Sequence, residues 1–329
     1  MTSTADWPAA RSHPHTYPGA CPAGPFAVVD DAVHPMRMRV EGDIGTLEVG
    51  TGDGWCGVDR LLAERGLTPV AERIPVIAYG GNRSPGTLAL KRQHYAYRST
   101  GEGDVFLALK ASLPGVDAVA GGLSDQGYLY ADLYIGPEVA DTEIDVWVLL
   151  LDRDGVRMLH DSEGVEVGAY ACARFDGLTI DGWGAPVSAL GYAGGLPVFV
   201  SPETGTPLAF EAVAARGRVL PAHRPVAMLD HAIASLGLGD RVRALTGIGD
   251  HPHVGEQAMK FLNGQFWYRR HTADRRVESC EQLEQVIWEG LLGSSHPTTT
   301  AGVMGERGAI LDNAVAYDLP DDYTVGRWW

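Results

Sequence analysis

Most of the chain alternates short apolar runs with clusters of turn-forming residues, and a longer apolar period sets in only beyond Pro225. Residues 26–29 and 36–40 are the first runs of strand length. Residues 57–65 have helical spacing, which predicts a short helix over 58–64. Residues 76–79 are again apolar and predict a buried strand that breaks at Gly80-Gly81. Ser84-Pro85 then opens a helix reaching about residue 92, since serine suits the N-cap and proline the first helical position. Strands are predicted over 105–109, 128–134, 144–151 and 170–180, with a turn at 113–116. The run over 144–151 is almost unbroken, the pattern of a strand buried on both faces. A short helix follows it over 154–160, with Val156 and Leu159 on one face. Residues 196–200 and 207–210 flank Ser201-Pro-Glu-Thr-Gly205, the composition of a hairpin turn.

Beyond Pro225 the period lengthens. Val226, Leu229, Ile233 and Leu236 form one stripe of a helix that ends at Gly237. Met259, Leu262 and Phe266 share helical spacing within 253–271, and Ser279 with Gln282 forms a capping-box pattern ahead of Leu283, Val286, Ile287 and Leu291. The last thirty-odd residues have no clear period. Many short strands and few helices predict an α+β protein, a small closed barrel or sandwich with peripheral helices. The expected division is an N-terminal arm and appendage over 1–73, the strand-rich unit over 74–224 and a helical C-terminal extension over 225–329. The first 25 residues, rich in proline, are expected to be a loose arm.

Composition narrows the function. At 329 residues the chain can bury a sizeable core, and 45% of it is apolar, as in soluble globular proteins. A formal charge of −16 disfavours nucleic acid and anionic membrane surfaces as partners. Cys21, Cys56, Cys172 and Cys280 are scattered, so neither a zinc ribbon nor a disulfide framework is expected. No apolar run approaches the length of a membrane span and no signal segment opens the chain, so a cytoplasmic location is expected.

Two stretches carry the candidate chemistry. The first is the strand–glycine–helix joint Tyr79-Gly80-Gly81-Asn82, where backbone N–H groups and a helix start converge on one point, a geometry suited to a small anion. The second is Leu159-His-Asp161-Ser-Glu163-Gly164-Val165, with Tyr170 opening the following strand. Together they resemble the γ-glutamylcyclotransferase family, over roughly residues 74–213. That family has a Tyr-Gly-Ser-Asn loop, and then a strand, a short helix and a Leu-Asp-x-x-Glu-Gly segment. This chain has one residue inserted between Leu159 and Asp161, and Gly81 stands where the family has serine. The resemblance implies a small mixed β-barrel and an enzyme that releases 5-oxoproline from a γ-glutamyl amine or peptide. Glu163 would be the general acid and base, Tyr79, Gly80, Gly81 and Asn82 the binding loop, and Tyr170 an orienting residue. No metal, cofactor or enzyme nucleophile is implied. Gly81 removes a hydroxyl, which leaves open a non-catalytic binding or scaffold role, or an acyl-transfer or amide-forming reaction on the same barrel. The C-terminal helices are candidates for self-association.

Other constellations are weaker. Leu47-Glu-Val-Gly50-Thr-Gly52-Asp-Gly54 imitates the glycine loop of a Rossmann-type methyltransferase, but no repeated β-α units follow. His251, His253 and His271 lack the fixed spacing of a metal site and are expected at the surface. Asp152, Asp154 and Asp161 either raise the Glu163 pKa by like-charge repulsion or are solvated turn residues. Arg83 and Lys91 flank the loop and are candidates to balance a substrate carboxylate.

Overall fold

A computed structural model describes residues 1–94, 105–269 and 276–329, with side chains outside 265–278. The strands in chain order are β1 (Thr2–Ser3), β2 (Phe26–Val29), β3 (Ala32–Met38), β4 (Leu47–Thr51), β5 (Gly54–Gly57), β6 (Ile74–Ala78), β7 (Val105–Pro114), β8 (Asp117–Leu123), β9 (Leu129–Tyr134), β10 (Glu143–Leu151), β11 (Tyr170–Ile180), β12 (Pro186–Gly194), β13 (Pro197–Phe199), β14 (Ala209–Phe210), β15 (Ala215–Arg216), β16 (Ala222–His223) and β17 (Ser295–Thr299). The first helices are α1 (Val58–Glu64), α2 (Pro85–His94) and α3 (Arg153–Glu163). Beyond the strand-rich region come α4 (Pro225–Ser235), α5 (Gly239–Thr246), α6 (Val254–Arg269), α7 (Arg276–Gly293), α8 (Thr300–Glu306), α9 (Asn313–Tyr317) and α10 (Val325–Trp328).

One eleven-stranded mixed sheet dominates the described residues. Its path runs β15-β10-β6-β12-β11-β7-β2-β3-β4-β5, with β1 beside β3. Strand β10 also pairs with β7, from Glu143 opposite Pro114 to Leu150 opposite Leu107, so the middle of the sheet folds back on itself. The contact of β12 with β6 is parallel and the other pairings along the path are antiparallel. The small mixed barrel expected from the sequence is thereby corrected: the path has free ends at β15 and β5. The physical reason is the N-terminal half-sheet. Strand β2 pairs with β7 from Phe26 opposite Ala108 to Val29 opposite Val105, and hydrogen-bonds β2 to β5 onto the same sheet.

The unbroken apolar run in β10 has the predicted cause. Val146, Val148 and Leu150 belong to one buried cluster, while Trp147, Leu149 and Leu151 belong to another. The first cluster is covered by Met228, Leu229 and Ile233 of α4, Met259 and Leu262 of α6, and Leu283, Ile287 and Leu291 of α7. The second is covered by Leu88 of α2, Val156, Met158 and Leu159 of α3, and Leu311, Ala316 and Leu319 near the C-terminus. Helix α3 contacts β10 and β6 of this sheet, while α4 and α7 contact β9 and β8 of a separate four-stranded sheet, β16-β14-β8-β9.

Several local expectations are also corrected. The stretch around Leu47 to Gly54 is the β4–β5 hairpin rather than a strand-to-helix glycine loop, which removes the methyltransferase reading. Strands β8 and β12, rich in glycine and alanine, carry no alternation that would announce them. The turn expected at Ser201–Gly205 forms, with Val200 bridged antiparallel to Pro207 and the Ser201 N–H on the Thr206 carbonyl, but beyond it β13 pairs with β17 and β14 with β8 and β16. Helix α7 already includes Arg276, so the Ser279–Gln282 pattern lies inside it. The C-terminal stretch forms three short helices, and Trp329 donates its indole N–H to the Ser188 carbonyl at 3.0 Å. The N-terminal arm is docked: Ala9, Ala10 and Tyr17 are buried. The helical candidate Phe266 lies outside the described side chains, and His271 outside the described residues.

No helix among the described residues is long and apolar enough to cross a membrane.

Candidate functional site

Strand β6 delivers the glycine joint to the edge of the core. After Ala78 the chain passes through Tyr79 and Gly80 into a 3-10 turn over Gly81–Arg83, and α2 begins at Pro85. Ser84 precedes the helix as expected and its carbonyl accepts the Leu88 N–H, but its buried hydroxyl has no partner among the described residues. On the other side, α3 starts at an Asp152 cap and ends at Gly164, which adopts φ 65° and ψ 40°. A left-handed residue after the last helical turn is the usual role of glycine. That termination sets Glu163 in the last turn of α3, facing α2.

Glu163, Tyr79, Gly80, Gly81, Asn82 and Tyr170 all line one cavity of about 220 Å³. Asn82 Nδ2 donates to Glu163 Oε1 at 3.0 Å. Lys91 of α2 pairs with the same carboxylate oxygen and also donates to Ser162 Oγ at 2.8 Å. A carboxylate in the last turn of a helix meets the negative end of the dipole, and the Lys91 ammonium offsets that repulsion. Burial raises the Glu163 pKa, but the Lys91 charge, the Lys91 and Asn82 hydrogen bonds and the Arg11 charge outweigh it and hold the carboxyl below its ordinary value. Glu163 is thus an ionised acceptor at neutral pH. Asn82 Oδ1, buried, has no partner among the described residues, and neither does Thr87 Oγ1 on the same wall. Both donors to Glu163 use Oε1, which leaves Oε2 open.

Tyrosines make up much of the remaining wall: Tyr17, Tyr79, Tyr128, Tyr130, Tyr170 and Tyr192. Burial pushes the pKa of each upward, so all six are neutral phenols. The Tyr79 hydroxyl donates to the Tyr192 carbonyl at 2.8 Å and the Tyr170 hydroxyl to the Ala131 carbonyl at 3.1 Å. Behind them, His160 Nε2 is 3.0 Å from the Ala316 carbonyl, which can only accept, so Nε2 carries the proton. Nδ1 then accepts from the Tyr192 hydroxyl at 2.9 Å. Burial lowers the His160 pKa, consistent with a neutral ring fixed in this tautomer. The cavity wall is held from behind by this chain of bonds.

Sequence reasoning missed the contribution of the N-terminal segment. Ala10, Arg11 and Tyr17 line the cavity, the Ala131 N–H donates to the Tyr17 hydroxyl at 2.7 Å, and the Tyr17 ring stacks on Tyr128 at 4.6 Å. A Cβ at Gly80 would lie 2.7 Å from the Tyr17 oxygen, so glycine is required there for space, whereas a Cβ at Gly81 would make only ordinary contacts. No local signal marks Tyr17 or Arg11, because their partners lie more than a hundred residues away. The other candidates are dispersed. Arg83 turns away to the Ala212 carbonyl, Asp152 caps α3 through the Gly155 N–H, Asp154 pairs with Arg157 and Asp161 accepts from Tyr317. Lys91 faces the cavity but is engaged by Glu163. His253 lies 3.7 Å from Asp230, and no metal-ligating cluster of three exists among the described residues.

Comparison with known proteins does not supply a family. No family model matches the chain, and no curated protein matches it. Among solved structures, a human protein titled uncharacterized protein loc79017 is 21% identical, with a TM-score of 0.26. The match covers 37% of this chain and 66% of that one, just under two thirds of its length. A likeness at that level carries no argument about this chain. The γ-glutamylcyclotransferase resemblance is corrected accordingly: no family model supports it, and the barrel on which it rested is replaced by the open-ended mixed sheet. The acid–base cleavage releasing 5-oxoproline falls with it. The site has its own physical objection, since an ion-paired carboxylate below its ordinary pKa is a weak base and holds no proton to deliver.

Proposed function

We propose that the cavity beneath the N-terminal segment binds a small organic ammonium compound, anchored on Glu163 and Asn82. The supporting observation is the pair of acceptors left open on one wall, Asn82 Oδ1 and Glu163 Oε2. Of the two, the Asn82 oxygen is buried without a partner, which costs about 1–3 kcal/mol that a ligand N–H recovers. An ammonium brings several donors and a positive charge to an ionised carboxylate. The surrounding tyrosine faces add a cation–π attraction of about 0.5–2 kcal/mol. On this reading Tyr79, Gly80 and Gly81 shape the floor, and Tyr170 holds the wall opposite. A volume of about 220 Å³ lies below the ~300–1,000 Å³ of sites for drug-sized molecules, which favours a small ligand.

Calorimetric titration of the full chain with the series from methylamine to n-butylamine, as their ammonium ions, tests this. Wild-type protein is expected to bind the longer members, with Glu163→Gln and Asn82→Leu each weakening the best of them at least tenfold. Absence of heat across the series, or equal affinity in Glu163→Gln, refutes the anchor.

A further inference from the structure

We infer that Arg11 reads an anionic group at the other end of the ligand, so that the site selects a small zwitterionic amino acid over a plain amine; this rests on the binding reading above. Arg11 lines the cavity, yet its guanidinium makes no hydrogen bond or ion pair among the described residues. The cavity's other cation, Lys91, is taken by Glu163.

The position of Arg11 is fixed by its backbone. The Arg11 carbonyl accepts from Asn263 Nδ2 at 2.9 Å, and the N–H groups of Ser12 and His13 both reach the Ala9 carbonyl, at 3.0 and 3.1 Å. On one side of it Trp7 packs so closely on α2 that a Cβ at Gly86 would sit 1.8 Å from the Trp7 carbonyl oxygen. On the other side Tyr17 is bonded to the Ala131 N–H. The segment therefore holds the guanidinium at the cavity rather than leaving it on a free arm.

The charges around the cavity point the same way. Glu163 and Lys91 are opposite in charge, and so are Arg11 and Asp125, the other two charged residues of the lining. A zwitterion leaves that balance unchanged, whereas a bare ammonium or a bare carboxylate adds a net charge to a largely buried space. Arginine also suits the task geometrically, because its planar fork pairs with both oxygens of a carboxylate.

The test is the ratio of affinities for matched probes, measured by calorimetry on the full chain: β-alanine, β-alaninamide, n-propylamine and propionate. Wild-type protein is expected to prefer β-alanine over n-propylamine and over the amide by at least tenfold. The ratio should fall to about one in Arg11→Gln and recover in part in Arg11→Lys, which returns the charge without the fork. A ratio that stays at tenfold in Arg11→Gln, or no preference in the wild type, overturns the role of Arg11 while leaving amine binding intact. If propionate binds and n-propylamine does not, the ammonium anchor itself fails, and the zwitterion reading with it.

Discussion

Replacing Lys91 by Met isolates the ion pair that sets the charge of the cavity. The two side chains keep only 12% and 17% of their surface exposed, so water screens the pair weakly. Methionine preserves most of the aliphatic stem, and the loss is chiefly the ammonium. Glu163 is then a carboxylate at the negative end of α3 with the Asn82 amide as its remaining hydrogen-bond donor. Stranding one partner of a buried pair costs about 3–5 kcal/mol. The carboxyl has an escape, since it can take up a proton. From its ordinary value of 4.5 to pH 7 that uptake costs about 3.4 kcal/mol at 1.36 kcal/mol per unit, which limits the penalty of the stranded charge itself. The expected destabilisation at pH 7 is therefore on the order of 3 kcal/mol.

The pH dependence reverses sign. In the wild type the Glu163 pKa is held below its unfolded value, so its contribution is present above about 4.5 and is lost as pH falls through the lower folded value. In Lys91→Met burial dominates and raises the folded pKa, so stability is lost as pH rises above about 4.5. Urea unfolding followed by tryptophan fluorescence at pH 5 and pH 7.5 measures both effects. The double variant Lys91→Met/Glu163→Gln should recover most of the loss at pH 7.5. A single variant as stable as wild type at pH 7.5, or a double variant as unstable as the single one, would refute the argument.

Two further outcomes follow from other parts of the structure. Gly86→Ala places a methyl 1.8 Å from the Trp7 carbonyl oxygen, so despite alanine's helix preference it should cost about 1–3 kcal/mol and speed proteolysis within residues 5–20. Denaturant melts and limited digestion check this, and unchanged digestion would show that the segment is not held by that contact. Asp132 is buried, which pushes its pKa up to about 7 against bonds from the Gly194 and Leu133 N–H groups and Thr300. Its contribution is complete below about 3.8 and lost as pH rises toward 7, so Asp132→Asn should flatten the stability profile between pH 4 and 7 by on the order of 2–4 kcal/mol. An unaltered profile in that variant would assign the slope to other groups.

The elements legible in the sequence are those whose signals are local. Ile144 to Leu151 announces a strand buried on both faces, Ser84-Pro85 a helix start and Gly237 a helix end, each through a few neighbouring residues. Strands β8 and β12 stayed hidden because glycine and alanine carry little hydrophobic contrast. Their pairings are nevertheless what place β9 and β6 around the cavity. Two motifs single out Glu163, Asn82 and Tyr170, but nothing near Lys91 in the sequence ties it to Glu163. Tyr17 and Arg11 sat in a segment read as loose.

By itself the sequence determined where the chain extends, turns and caps, since those choices depend on residues within about one helical turn of each other. Only the tertiary structure decided that the N-terminal strands join the central sheet, and that the first twenty residues cover the cavity. The same holds for the Lys91 ammonium, which meets Glu163 from seventy-two residues away. Those contacts are settled by which surfaces remain unburied once the local elements exist, and no short window of sequence encodes that.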